Sequence, residues 1–205
     1  MIDQKYAETI FNFLYSEVNG YEVSNKARRN ENLDENGFLY GELPFQTFVK
    51  IIESIKPKLG GTFIDLGSGT GRIVMQSYLM NHFDKVIGIE FLQGLHNKAC
   101  EIKSIFDKTV QPQVAKFLQN KSIEFINGDI LEYDYRDADF IFMNHPLKSE
   151  NGGYKILEAK FKSELKKGTK IATIIRPIEE QSFQMIDKRS LEFSWGKSTA
   201  YFYEV

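Results

Sequence analysis

The 205-residue sequence has one cysteine, three histidines, five prolines and no long apolar run. The single Cys100 excludes a disulfide within the chain, and its place in a helical pattern favours a buried thiol over a nucleophile. Because the histidines and the cysteine show no metal-ligand spacing, we expect no metal site. No segment approaches the ~18 apolar residues of a membrane span, so we expect no membrane association.

The sequence also lacks an excess of charge of either sign. Its 26 basic and 28 acidic residues are intermixed and give a net charge of −2. Proteins that hold nucleic acid by themselves usually carry a basic face or tail, so strong independent nucleic-acid binding is not expected. The N-terminus has no signal-peptide pattern, and we expect a monomer that is cytoplasmic or nuclear.

The sequence does contain a helical first part followed by a longer α/β part. Residues 3–19 carry apolar side chains at helical spacing, which predicts an amphipathic helix. Residues 24–39 are polar and punctuated by glycine, which predicts an irregular connector. Pro44 then opens another predicted helix, which Pro57 ends.

The α/β part alternates β-rich runs with helical patterns. The predicted strands are 62–66, 85–90, 123–126, 138–143 and 170–175, and the predicted helices are 71–82, 93–107, 111–119 and 153–166. Two further β-rich runs, 190–195 and 198–205, predict a terminal hairpin. This alternation implies an α/β fold with a mostly parallel, doubly wound sheet, to which the hairpin adds an antiparallel strand.

The run from Gly61 to Gly71 is the most informative part of the sequence. A β-favouring stretch leads into Asp65, and glycines at alternate positions precede a helical pattern; these are Gly67, Gly69 and Gly71. A strand, a glycine turn and a helix N-terminus form a cofactor platform, because glycine lets the backbone approach a ligand closely. Arg72 stands where a dinucleotide fingerprint has its third glycine. A nicotinamide enzyme and a turn without a ligand stay open as alternatives.

Three carboxylates stand at or just after the ends of successive predicted strands: Asp65, Glu90 and Asp129. In a parallel sheet the ligand lies across these carboxyl ends. Glu90, with Phe91 beside it, is placed to accept both hydroxyls of a ribose. Asp129 is placed to take an adenine amino group with Ile130 against the ring. Asp65 is placed to orient the loop or to meet an ammonium group of the ligand.

The segments D-L-G-S-G-T-G, G-I-E and N-G-D-I together resemble the S-adenosylmethionine-dependent methyltransferases of the seven-stranded, Rossmann-like class. The resemblance covers roughly residues 40–205. It implies S-adenosyl-L-methionine as the cofactor, and the absence of a pyrophosphate in this molecule agrees with the missing third glycine. It also implies a catalytic domain over 44–205, preceded by an N-terminal helical segment and lid loop over 1–43.

Three shorter segments resemble the non-SET histone-lysine methyltransferases related to the disruptor of telomeric silencing: Tyr40-Gly41-Glu42, Phe142-Met143-Asn144, and Ser194 to Phe202. The resemblance implies that Tyr40 and Glu42 close over the methionine part of the cofactor. It implies that Phe142 and Asn144 lie beside the transferred methyl group. It also implies that Trp195 and Phe202 line a channel for the lysine. Asn144, Phe142, Trp195 and Phe202 are therefore the candidate catalytic residues.

The sequence departs from that family at several positions. His145-Pro146 replaces an Asn-Phe pair, Phe202 replaces a tyrosine, and one residue is missing after Trp195. The sequence also ends at Val205 without the basic segment with which the eukaryotic enzymes hold nucleosomes. We therefore expect the methylation chemistry to carry over better than the histone substrate.

The resemblance favours an N-methyltransferase that acts on a lysine of a protein partner. Asn144-His145-Pro146 also resembles loosely the Asn-Pro-Pro-aromatic signature of amino-methyltransferases that act on bases and glutamine, although Leu147 replaces the aromatic residue. A nucleic-acid or small-molecule methyltransferase, and a non-catalytic cofactor-binding module, therefore stay as alternatives. His145 is either a base or a neutral packing or hydrogen-bonding histidine.

Overall fold

The computed structural model describes residues 2–33, 40–147 and 152–205. Its strands are β1 Thr62–Leu66, β2 Lys85–Glu90, β3 Ser122–Asn127, β4 Phe140–Asn144, β5 Lys170–Ile174, β6 Gln184–Phe193 and β7 Gly196–Glu204. Its helices are α1 Gln4–Tyr15, α2 Gly20–Asn30, α3 Phe45–Ile55, α4 Arg72–Leu79, α5 Gln93–Thr109, α6 Gln111–Val114 and α7 Gly153–Glu164, and a 3₁₀ turn Ala115–Phe117 follows α6.

The strands form one seven-stranded sheet in the order β3-β2-β1-β4-β5-β7-β6. The first five strands in that order pair in parallel, whereas β7 pairs antiparallel with both β5 and β6. The order reverses direction at β1, between β2 and β4, which is the point where ligands bind in doubly wound sheets. The predicted fold class is confirmed.

The central strands are buried on both faces because helices cover the sheet on each side. Alternate residues of a strand point to opposite faces. On β1, Phe63 joins the larger core cluster, which includes apolar residues of α1, α3 and α4. Its neighbour Ile64 joins a second cluster, which includes Leu157 and Phe161 of α7. The first cluster therefore fixes the N-terminal helix to the same core as the sheet.

The polar stretch predicted as a connector over 24–39 is helical through Asn30, so that part of the prediction is wrong. Asn19 caps α2 by accepting a hydrogen bond from the Glu22 N–H at 3.2 Å, and two arginines lie in its last turn. A Cβ atom built on Gly94 of α5 would lie 2.7 Å from Cβ of Ala27, so the two helices pack closely. Residues 34–39 of the predicted connector lie outside the described residues.

The helix predicted over 3–19 ends at Tyr15, and α2 begins five positions later, at Gly20. The helix predicted over 111–119 is the short α6 and the 3₁₀ turn after it. The thiol of Cys100 is exposed, not buried as predicted, because one helical step of about 100° separates it from the fully buried Ala99.

The hairpin is longer than the predicted runs 190–195 and 198–205. Most residues of β6 are exposed, because this strand forms the edge of the sheet. The consecutive charged residues Asp187-Lys188-Arg189 interrupt the alternation of apolar and polar side chains that predicts a strand. A register shift also occurs between Met185 and Asp187. No helix within the described ranges has both the length and the apolar character needed to cross a membrane.

Candidate active site

The glycine turn joins β1 to α4 and is fixed to the end of β2. The Gly67 and Ser68 N–H groups donate to the Ile89 carbonyl at 2.9 and 3.0 Å, and the Gly71 N–H donates to the Ser68 carbonyl at 2.8 Å. Gly69 has φ +56°, a left-handed conformation that side chains disfavour. The turn therefore presents bare backbone at the carboxyl end of the sheet.

Glu90 connects the turn to the start of α5. Its Oε2 accepts a hydrogen bond from the Gly69 N–H at 2.8 Å, and its Oε1 accepts one from the Leu92 N–H at 2.9 Å. Burial raises the pKa of this carboxyl, and the backbone hydrogen bonds oppose the shift. The Phe91 N–H also donates to this carboxylate, and since a carboxylate has about four acceptor positions, about one remains for a ligand hydroxyl.

Asp65 lies at the carboxyl end of β1 and is only 2% exposed. Burial raises its pKa well above the usual 3.8, and the nearby charge of Glu90 raises it further. Among the described residues no cation pairs with this carboxylate and no donor bonds to it. A cationic ligand group placed beside Asp65 would therefore be strongly stabilised.

Tyr40 covers the turn from the side of the N-terminal segment. A Cβ atom built on Gly69 would lie 2.8 Å from Cε2 of the Tyr40 ring. The Tyr40 hydroxyl is 2.9 Å from Oγ1 of Thr70 and donates to Oε1 of Glu42 at 3.2 Å. Burial and the Glu42 charge both raise the pKa of Tyr40, so its hydroxyl stays protonated as a donor. The structure thus brings together the two residues predicted for the lid.

The lid is also attached to the loop between β6 and β7. The Glu42 N–H donates to Oγ of Ser194 at 3.2 Å, and the Tyr21 hydroxyl is 2.7 Å from the same oxygen. The ring of Trp195 lies where a side chain on Gly41 would be. The sequence pattern did not predict a role for Tyr21, because the segment that forms α2 was not predicted to be helical.

The adenine side of the predicted site is formed by the end of β3. Asp129 accepts a hydrogen bond from the Leu131 N–H at 2.8 Å, which orients its carboxylate. Asn127 donates to the carbonyls of Glu90 and Phe91 at 2.9 and 3.0 Å. Asn127 was missed, although it begins the quoted N-G-D-I segment. Ile130 is buried in the second core cluster, next to the predicted position of the ring.

Asn144 ends β4 on the opposite side of the turn from the lid. It is partly buried, and the following His145 has φ +52°. A Cβ atom built on Gly67 would lie 3.0 Å from Cβ of Pro146, so this segment rests on the turn. Nδ1 of His145 is 3.0 Å from the Tyr154 hydroxyl. Burial and then the Arg176 charge lower the pKa of His145, which favours the neutral, hydrogen-bonding form.

Two of the four candidate catalytic side chains do not reach a channel in this structure. Phe142 is 1% exposed and Phe202 is 0% exposed, and both belong to the larger core cluster. The Phe142 ring meets Phe48 of α3 edge-to-face at 6.1 Å. Strand alternation turns both rings toward the face of the sheet that α3 covers, where they pack in the core. Their role in a lysine channel stays a prediction.

Trp195, in contrast, is 39% exposed. It stacks on Phe193 with ring centroids 4.8 Å apart, and its Nε1 donates to Oγ of Ser198 at 2.9 Å. These contacts fix the indole plane while leaving one part of the ring accessible beside the lid. Among the aromatic residues predicted for a channel, Trp195 is the most exposed.

Comparison with solved structures establishes the class of this fold. An RNA methyltransferase from Salinibacter ruber in complex with S-adenosyl-L-homocysteine superposes with a TM-score of 0.58 at 20% identity, over 80% of this chain and 93% of that chain. The B. subtilis M1A22 tRNA methyltransferase TrmK superposes with a TM-score of 0.53 at 20% identity, over 82% and 67%. This chain therefore has the fold of these methyltransferases, which confirms the predicted Rossmann-like fold class.

The particular family follows from sequence comparison. A profile of the family described as histone methylation protein DOT1 matches residues 22–199, so the chain belongs to this family. A histone-lysine N-methyltransferase of Caenorhabditis elegans, H3 lysine-79 specific, is 28% identical over 140 residues. That match spans 65% of this chain and 14% of the C. elegans protein. The resemblance identified in the sequence is confirmed.

Proposed function

We propose that this protein transfers a methyl group from S-adenosylmethionine to the side-chain amine of a lysine in a protein. The observation that carries the proposal is the covering of the glycine turn from two sides. Tyr40 lies over Gly69, and Pro146, which follows the acceptor candidate Asn144, lies over Gly67. A donor held on the turn would therefore meet an acceptor held at the end of β4.

The residues present fit S-adenosylmethionine. The buried Asp65, which has no partner among the described residues, suits the ammonium group of the methionine part, and the remaining acceptor position of Glu90 suits a ribose hydroxyl. Asp129 and Ile130 suit the adenine, and Tyr40 and Glu42 suit the outer side of the methionine part. When bound, this cofactor would supply a sulfonium methyl group, whose carbon a nucleophile attacks in line while the C–S bond breaks and S-adenosylhomocysteine leaves as a neutral thioether.

The acceptor residues then have two tasks. A lysine amine attacks only after it has lost its proton, and removal of water around it lowers its pKa. The accessible part of the Trp195 ring suits the incoming cation and its apolar stem. The Asn144 amide is placed to accept a hydrogen bond from the amine and to aim its lone pair, so most of the rate comes from alignment.

The first test is the replacement Asn144→Ala. We expect turnover to fall by about a hundredfold, since alignment is lost, while cofactor affinity changes less than about threefold. Methyl transfer from labelled S-adenosylmethionine to a lysate and calorimetric titration with the cofactor measure the two quantities. Asn97→Ala, on the exposed face of α5, is the matched control and should change neither. Equal losses of turnover and affinity would remove Asn144 from the acceptor site.

The same labelling experiment tests the acceptor class. We expect the label to be destroyed by protease and to resist nuclease, and hydrolysis should release methylated lysine. Label that nuclease removes would contradict a protein acceptor and indicate a nucleic acid. Label that appears only in small molecules would indicate a small-molecule acceptor. The proposal also includes a monomer without strong nucleic-acid affinity, which the net charge of −2 supports. Gel filtration and a nucleic-acid titration measure these properties.

A further inference from the structure

Helix α1 lies before residue 22, where the family match begins, yet it packs behind the glycine turn. Phe11 and Tyr15 are buried on its inner face. The Tyr15 hydroxyl donates to the Thr70 carbonyl, within the turn, at 3.0 Å. An element outside the matched region therefore contacts the backbone of the cofactor platform directly.

The same two rings hold the guanidinium of Arg72. Its Cζ lies 5.0 Å from the centroid of the Phe11 ring and 4.6 Å from that of Tyr15, which are cation–π distances. Arg72 is the first residue of α4, where the helix dipole disfavours a positive charge. The contacts of this side chain, rather than helix stability, therefore account for an arginine at this position.

Arg72 also reaches the lid. Its Nη1 is 3.6 Å from Oε2 of Glu42, and both side chains are largely buried. Oε1 of the same carboxylate accepts the hydrogen bond from Tyr40, whose hydroxyl also contacts Thr70. The Tyr40 hydroxyl and the Glu42 carboxylate of the lid thus contact Thr70 and Arg72. Thr70 and Arg72 in turn contact side chains of α1.

We propose that Arg72 is a positioning residue that holds Glu42, and with it the lid segment Tyr40–Glu42, closed over Gly69. Helix α1 acts through Arg72, because Phe11 and Tyr15 confine the guanidinium to the side of the turn that faces Glu42. The N-terminal helix thereby sets how long the cofactor stays bound. The inference rests on the proposed function, in which the lid covers the cofactor.

The decisive variant is Arg72→Met, which keeps an unbranched stem between the rings and removes the charge. We expect S-adenosylhomocysteine to dissociate about tenfold faster, because a largely buried carboxylate loses its partner. Stopped-flow fluorescence measures the dissociation rate. Arg72→Lys should restore part of the wild-type rate, since it returns a cation without the planar fork. Arg136→Met, which breaks an exposed ion pair with Asp134, is the matched control and should leave the rate unchanged.

Coupling between variants separates positioning from general stability. The effects of Glu42→Gln and Arg72→Met on the logarithm of the dissociation rate should be non-additive in the double variant, because both substitutions remove the same contact. Phe11→Leu should speed dissociation in the wild type and have no further effect in the Arg72→Met background. If Arg72→Met does not fold, Phe11→Leu and Arg72→Lys still decide the question. Additive effects of Glu42→Gln and Arg72→Met, or an unchanged dissociation rate in both Phe11→Leu and Arg72→Lys, would overturn the proposal.

A last variant distinguishes failure of this inference from failure of the site itself. Gly69→Arg should abolish binding of S-adenosylhomocysteine, because the new side chain fills the space beneath Tyr40. If Gly69→Arg abolishes binding while Arg72→Met leaves the dissociation rate unchanged, the site stands and the role of Arg72 is wrong. If Gly69→Arg binds normally, the assigned cofactor site is wrong, and the inference falls with it.

Discussion

At the scale of single residues, the site is built on two carboxylates that folding removes from water. Glu90 recovers part of that cost through hydrogen bonds from Gly69 and Leu92, whereas Asp65 has no such partner among the described residues. Burial of an ionised group without a partner destabilises a fold. A cationic ligand beside Asp65 would therefore stabilise the ionised carboxylate, which burial alone disfavours.

This gives a pH-dependent prediction for Asp65→Asn. A raised pKa in the folded state means that the stability from protonated Asp65 is fully present below its ordinary 3.8 and is lost as the pH rises toward the folded value. Asp65→Asn should therefore raise the free energy of unfolding of the cofactor-free protein at pH 7, and the gain should shrink toward pH 4. Urea unfolding at both pH values measures it.

The same variant should bind S-adenosylmethionine roughly tenfold or more weakly, since a buried charge pair is lost. Glu132→Gln, at an exposed position of the loop after β3, serves as the control. A destabilised Asp65→Asn protein, or one with unchanged affinity, would contradict the role assigned to Asp65.

The residue pattern predicted Asp65, the three glycines and Glu90 at one site, because the carboxyl ends of parallel strands converge whatever the details of packing. Tyr40 and Glu42 were predicted from the family resemblance instead. The resemblance did not predict that Trp195 is partly exposed while Phe142 and Phe202 are buried. Which of these rings is exposed depends on strand register and on the helix that covers each face. Neither is readable from the type of residue. Arg72 was noted only as a missing glycine, since its contacts come from helix α1, distant in the sequence.

At the scale of elements, α2 shows why the N-terminal part was harder to predict than the sheet. Its sequence, GYEVSNKARRN, has few apolar residues, so its low hydropathy indicates a polar connector although the helix is amphipathic. The helix is stabilised instead by its cap and by close packing of Ala27 on Gly94 of α5. Tertiary contacts of this kind leave no mark on the local pattern.

Gly94→Ala tests that contact. Helix propensity favours alanine over glycine by up to about 1 kcal/mol, so a surface position would be stabilised. We expect instead a loss of roughly 1–3 kcal/mol, because the new methyl group would lie 2.7 Å from Cβ of Ala27. Thermal unfolding and hydrogen exchange of Gly20–Asn30 measure the effect. Gly128→Ala, whose nearest contact is an ordinary 3.7 Å, is the matched control. Equal effects of the two substitutions would exclude close packing as the cause.

At the scale of the whole molecule, the strand–helix alternation was enough to predict a mostly parallel sheet with an antiparallel hairpin. The sequence did not predict which of the two hairpin strands pairs with β5. The insertion of β7 between β5 and β6 depends on which edge of the sheet is free. The free edge is known only when the order of all the strands is known.

Because the site joins the ends of β1, β2 and β3 with the lid, a bound ligand should stabilise the whole fold. We expect S-adenosylhomocysteine at a hundred times its Kd to add about 2.7 kcal/mol to the free energy of unfolding. The Tm should rise by roughly 5–10 °C, as measured by calorimetry. The Gly69→Arg protein should show no rise. An equal rise in both proteins would mean that the ligand binds elsewhere.

The insertion of β7 also constrains the order in which the molecule is assembled. During synthesis β6 leaves the ribosome before β7, but among the described strands β6 pairs with β7 alone. The edge of β5 therefore stays unpaired until β7 has been made and lies between β5 and β6. A nascent chain that has already formed the glycine turn still lacks the contacts of Ser194 and Trp195 with the lid until β7 is in place.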